Sequence, residues 1–136
     1  MANALYDLGR QAFLEGEIDW ADDDIKVLLV DTGDYSVNLA TDQFHSDVTG
    51  AGIVATSANL GTKTVTNGVA DAADVTFSSV SGDQCEALVI YKDSGVSGTS
   101  PLIAYIDTAS AGLPVTPDGG DITIQWDSGA NKIFKL

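Results

Sequence analysis

Basic residues are the scarcest charged class in this chain. Six Lys and Arg stand against 20 Asp and Glu, a net charge of −14 at pH 7. A surface of that sign repels phosphate backbones and anionic headgroups, so neither nucleic acid nor a membrane is expected as a direct partner. Cysteine is almost absent. Cys85 stands alone, which excludes an intrachain disulfide and fits folding in a reducing cytosol. With one His and one Cys, the chain cannot supply the four ligands of a structural zinc site. Long apolar runs are missing too, and none approaches the ~20 residues of a membrane helix. The opening Met1-Ala2-Asn3-Ala4-Leu5-Tyr6-Asp7 has no basic stretch and no long apolar stretch, so no secretory signal is expected. These absences predict a protein made in the cytoplasm that stays soluble or leaves as part of something larger.

What is present suits a folded chain. The 136 residues are 44% hydrophobic, enough for one domain over 1–136 with a core that needs no staples. A helix is predicted over 1–16. Asn3 is its expected cap, Leu5, Leu8, Ala12 and Phe13 fall at helical spacing, and Gly16 is its expected terminator. Ile25-Lys26-Val27-Leu28-Leu29-Val30 predicts a buried strand. Residues 35–52 show little periodicity and predict a long loop, with one helical turn near Thr41 to Phe44. A loop of this length is commonly functional, a partner contact, or disordered when free.

The remainder, 53–136, predicts a β-rich body. Strands are expected at Ile53–Thr56, Lys63–Thr66, Asp74–Val80, Ala87–Tyr91, Leu102–Asp107, Ile122–Trp126 and Lys132–Leu136, with a tight turn at Asn67-Gly68 and another at 128–131. The expected fold is mostly β, an antiparallel β-sandwich or barrel of seven to eight short strands with one N-terminal α-helix.

Few residues are arranged for chemistry. Asp31-Thr32-Gly33 follows an apolar strand and resembles the active-site turn of retroviral-type aspartic proteases, in which two such aspartates share a proton. The apolar strand running into a glycine that this family also needs is missing, because Leu88-Val89-Ile90 runs into Tyr91 and Ile122-Thr123-Ile124 into Gln125. Asp31 is therefore expected to end a strand. His45 and Cys85 are expected as a loop histidine and a small buried apolar residue, with a Cys–His dyad unsupported. Asp22-Asp23-Asp24 and Asp118-Gly119-Gly120-Asp121 match no EF-hand spacing, and Gly61-Thr62-Lys63-Thr64 lacks the upstream glycine of a phosphate loop. No catalytic residue, metal or cofactor is expected.

The aromatic residues divide between core packing and subunit anchors, since large aromatics serve both. The chain ends are favoured for contacts, giving Leu5, Leu8, Phe13, Trp20, Phe134 and Leu136 as possible subunit contacts.

Ala4-Leu5-Tyr6-Asp7-Leu8-Gly9-Arg10, Ile18-Asp19-Trp20 and Asp24-Ile25-Lys26-Val27-Leu28-Leu29-Val30 together resemble small structural proteins of tailed bacteriophages. The stretches 66–77, 87–93 and 119–127 resemble the same group. The resemblance implies a virion structural protein and no enzyme. Its expected role is capsid decoration, or cement, on the outer surface of the head, with the major capsid protein as partner and a trimer as the first expectation for a homo-oligomer. Three alternatives are a tail, neck or fibre component, a carbohydrate-binding module using Trp20 or Trp126, and the protease.

Overall fold

A computed structural model describes residues 3–48, 50–107, 113–130 and 132–136. Met1 and Ala2 of the predicted helix, Thr49 of the predicted loop and Asn131 of the 128–131 turn lie outside the described residues. Among the described residues there is one α-helix, α1 (Asp7–Leu14), and ten strands. They are β1 (Ala4–Leu5), β2 (Ile25–Val30), β3 (Ile53–Thr56), β4 (Thr64–Thr66), β5 (Val69–Asp71), β6 (Val75–Phe77), β7 (Ala87–Lys92), β8 (Leu102–Ile106), β9 (Ile122–Ile124) and β10 (Phe134–Lys135). The fold is mostly β with antiparallel sheets and one N-terminal helix, as the sequence predicts.

Three sheets form: a five-stranded one ordered β1-β8-β7-β2-β3, a three-stranded one ordered β10-β5-β4, and the pair β6-β9. Register in the large sheet follows the pleat. Val27 faces Ile90, and Ile90 faces Ala104, with all three in one core cluster. Leu28 faces Val89, and Val89 faces Tyr105, with all three in a second cluster. The large sheet is therefore buried on both faces. That explains why β2, β7 and β8 are near-continuous apolar runs where a half-exposed antiparallel strand would alternate.

The two faces have different covers. The first shares its core with the small sheets, through Ala70, Val75, Phe77, Ile122, Ile124 and Phe134. The second is covered by the long loop, which contributes Tyr35, Val48 and the half-buried Val37 and Leu39. Hydrogen bonds pin the loop down: the Asp31 N–H donates to Gly52, the Asp7 N–H to Leu39, and the Leu102 N–H to Gln43. Beneath it the Tyr6 and Tyr35 hydroxyls lie 2.9 Å apart, and Tyr35 donates to the Asp42 carboxylate at 2.6 Å. Burial pushes both phenols well above their ordinary range; the hydrogen bonds to Asp42 and Tyr6 add to the rise at Tyr35, while the one to Tyr35 opposes it at Tyr6. Residues 35–52 thus serve as a fixed lid on the core. The helical turn expected at Thr41 to Phe44 lies further on, as a 3₁₀ turn at His45–Asp47.

The chain start differs from expectation. Ala4 and Leu5 pair with Tyr105 and Ala104 as an edge strand, so the helix begins at Asp7 with Tyr6 as its uncapped N-cap. Asn3 does not cap it; its side chain accepts the Asp107 N–H at 2.9 Å and ties β1 to the end of β8. Gly16 does terminate the helix, at φ +75°, with its N–H donating to Phe13 and that of Glu17 to Ala12. Gly9 is where α1 meets β8: a Cβ there would stand 2.5 Å from the Leu102 carbonyl oxygen. The strand expected at Asp74–Val80 is cut short at Phe77, because Ser79 takes φ +50°.

Candidate interaction surface

The hairpin β4-Asn67-Gly68-β5 shapes an apolar groove. Asn67 and Gly68 take φ +51° and +79°, the mirror-image turn that suits the right-handed twist of a two-residue hairpin. This turn lies against the last strand, where the Leu136 N–H donates to the Gly68 carbonyl at 3.0 Å. Strand alternation then directs Val65, Ala70, Phe134 and Leu136 to one side and Thr64, Thr66, Val69 and Lys135 to the other. The first set, with Phe13 on α1 and Ile18 and Trp20 beyond the helix end, walls a groove of about 350 Å³.

Four of the six predicted contact residues converge here. Trp20 meets Phe134 edge-on at 5.2 Å, and Phe13 meets Phe134 at 6.0 Å. Trp20 and Phe134 are buried, Phe13 is half-buried, and Leu136 is 59% exposed. The Trp20 indole donates to the Asp71 carbonyl at 3.1 Å, which fixes the floor of the groove. Leu5 is buried in the core beside β8, and Leu8 is half-buried on the helix. Sequence reasoning missed Val65, which is 57% exposed at the groove edge. The Thr-Val-Thr alternation before an Asn-Gly turn carries the signal that could have found it. The acidic groups at this rim are Asp19, which lines the groove, and the exposed Glu15 and Glu17 near the helix end.

The other singled-out residues fall elsewhere. Asp31 ends β2 in a turn: its carboxylate accepts the Gly33 N–H at 2.8 Å, while the backbone and hydroxyl of Thr32 donate to Glu86. Carboxylate oxygens of Asp31, Asp34 and Asp83 lie within 4.8 Å of one another. His45 stacks edge-on against Tyr91 at 4.8 Å; burial lowers its pKa and Asp93 pulls it back up. Cys85 is fully buried in the core on the opposite face of the large sheet, and burial pushes its thiol up to about 11. The two do not form a dyad. Trp126 is buried with its indole donating to the Ala73 carbonyl at 3.0 Å, so neither tryptophan presents an open ring face of the kind sugar stacking uses. Lys63 is held by the Asp23 carbonyl and Asn59.

Comparison with protein-family models and with curated protein sequences gave no match for this chain.

Proposed function

We propose that this chain is a structural protein of a tailed-bacteriophage particle, and that it works as a decoration or cement protein gripping the major capsid protein from outside the head. The observation that carries the reading is the groove between the end of α1 and β10, with exposed Val65 and Leu136 at its margin on a chain of net charge −14. The resemblance of segments 4–10, 18–20, 24–30, 66–77, 87–93 and 119–127 to phage structural proteins supplies the setting.

Burying one such Leu or Val against a partner contributes about 1.5–3 kcal/mol. A single contact of that kind is weak, but repetition over a shell raises the total retention. The acidic exterior suits a position away from packaged DNA. The groove supports protein contact more than small-molecule chemistry, because its walls are apolar side chains with one carboxylate, Asp19.

Binding of the purified chain to heads depleted of it tests the reading. The wild-type chain is expected to pellet with heads, and the double variant Val65→Asp, Leu136→Asp to stay in the supernatant. Equal pelleting of the variant removes the groove from the account, and recovery on isolated tails moves the protein to the tail.

A further inference from the structure

Positive charge is spent unevenly in this protein. Three of its six Lys and Arg, namely Lys26, Lys63 and Lys92, are held by partners away from the cleft that the other three line. Lys26 pairs with Asp93 at 2.6 Å, Lys92 pairs with Asp23 at 3.2 Å, and Lys63 donates to the Asp23 carbonyl and Asn59. The other three, Arg10, Lys132 and Lys135, line one cleft of about 260 Å³.

Two strand edges wall this cleft, β1 through Leu5 and β10 through Phe134. Each is the end strand of its own sheet, so the cleft lies between edges that carry no further strand among the described residues. Opposing carboxylates are few. Asp127 lines the cleft, with one oxygen accepting the Gly129 N–H at 3.1 Å. Asp7 reaches Arg10 at 3.2 Å across a pair that is more than half exposed, a weak tie. Lys132 holds φ +47°, a conformation that Gly or Asn adopts at lower cost. A lysine at that position keeps a charge where the backbone prefers another residue.

We propose that this cleft binds an extended acidic peptide segment of a partner protein, which pairs with a free strand edge and sets its carboxylates against Arg10, Lys132 and Lys135. Edge pairing supplies main-chain hydrogen bonds, and the alternate side chains supply specificity. Arg10 offers a carboxylate a bidentate fork, while the lysines act as point charges. Charge selects the occupant. A second whole copy brings another −14 into the same approach, whereas a short acidic segment brings only a few like charges and sets them next to the three cations. The inference does not rest on the virion reading, and although Phe134 lines both the cleft and the groove, Val65 and Leu136 line the groove alone.

The test is calorimetric titration of the full chain with a synthetic peptide of alternating Val and Glu, beside a Val and Lys peptide and inorganic phosphate. The acidic peptide is expected to bind with Kd on the order of 10–100 μM. Affinity should fall at least about tenfold in Lys132→Glu, Lys135→Glu, and again between about 0.05 M and 0.5 M salt. Lys132→Gly should bind more weakly while melting at or above the wild-type temperature, which separates binding from folding. Val65→Asp, Leu136→Asp should bind like wild type. No binding of the acidic peptide overturns the proposal, as does equal binding of the basic one. Phosphate binding as tight as the peptide's overturns the strand-pairing part. Self-association of the chain that disappears in the double lysine variant reassigns the cleft to a second copy.

Discussion

Replacing Gly9 with alanine probes the contact on which the N-terminal half of the fold depends. Helix α1 approaches β8 through this residue, and a Cβ there would stand 2.5 Å from the Leu102 oxygen, 3.1 Å from the Ile103 oxygen and 3.2 Å from the Ile103 Cα. All three are backbone atoms of a strand paired on both sides, to β1 and β7, so β8 has little room to retreat. Overpacking of this kind costs about 1–3 kcal/mol, and the rigid neighbours put this site at the upper end. Alanine returns roughly 1 kcal/mol as a better helix former. The expected net loss is about 2 kcal/mol, which for a chain of this length lowers Tm by roughly 7 °C. Urea denaturation followed by the fluorescence of the buried Trp20 and Trp126 reads it directly. Gly16→Ala is the companion measurement, because nothing lies within 4 Å of that site and only its φ of +75° resists a side chain. That variant should lose about 1 kcal/mol. A Gly9→Ala chain as stable as wild type, or more so, refutes the placement of α1 on β8.

Tyr35→Phe removes the hydroxyl that links Tyr6 to Asp42 and should cost about 1–3 kcal/mol in the same urea assay, with a hydrogen-exchange increase centred on residues 35–48. Alkaline pH should destabilise the fold. The folded Cys85 thiol titrates near 11 against an ordinary 9.0, so the folded state holds this proton more tightly than the unfolded chain does. Its contribution is complete below pH 9 and is lost as pH rises through 11, a fall that stability curves between those limits should record. The same residue should resist thiol reagents at neutral pH until the chain unfolds. Asp31→Asn should leave stability within about 0.5 kcal/mol, since an amide oxygen can still accept the Gly33 N–H, and thermal melts check it.

Much of the architecture was legible in local pattern. The apolar runs 25–30 and 87–91 and the Asn67-Gly68 turn each carry their own signal and lie where the sequence placed them, while of the alternation at 122–126 only Ile122–Ile124 forms a strand. The elements that depend on distant partners were not legible. Ala4 and Leu5 look helical in isolation and become a strand only because β8 offers an edge. The lid over 35–52 has no periodicity because its order comes from single pins such as Tyr35 to Asp42 and Leu102 to Gln43. The candidate interaction surface was half legible. The sequence marked Phe13, Trp20, Phe134 and Leu136 as contact residues of the chain ends, but their convergence requires β10 to pair with β5 across more than 60 residues of chain. The cationic cleft was invisible for the same reason, since Arg10 and Lys132 are far apart in the chain.

The proposed role in a phage particle turns on position. Electron cryomicroscopy of tailed-phage heads incubated with this chain, with gold-labelled antibody to assign the density, tests the proposal most directly. The account predicts label and a symmetric set of small β-rich densities on the outer surface of the head, astride neighbouring capsid subunits. Particles without the chain, or with it confined to the interior beside the genome, contradict it.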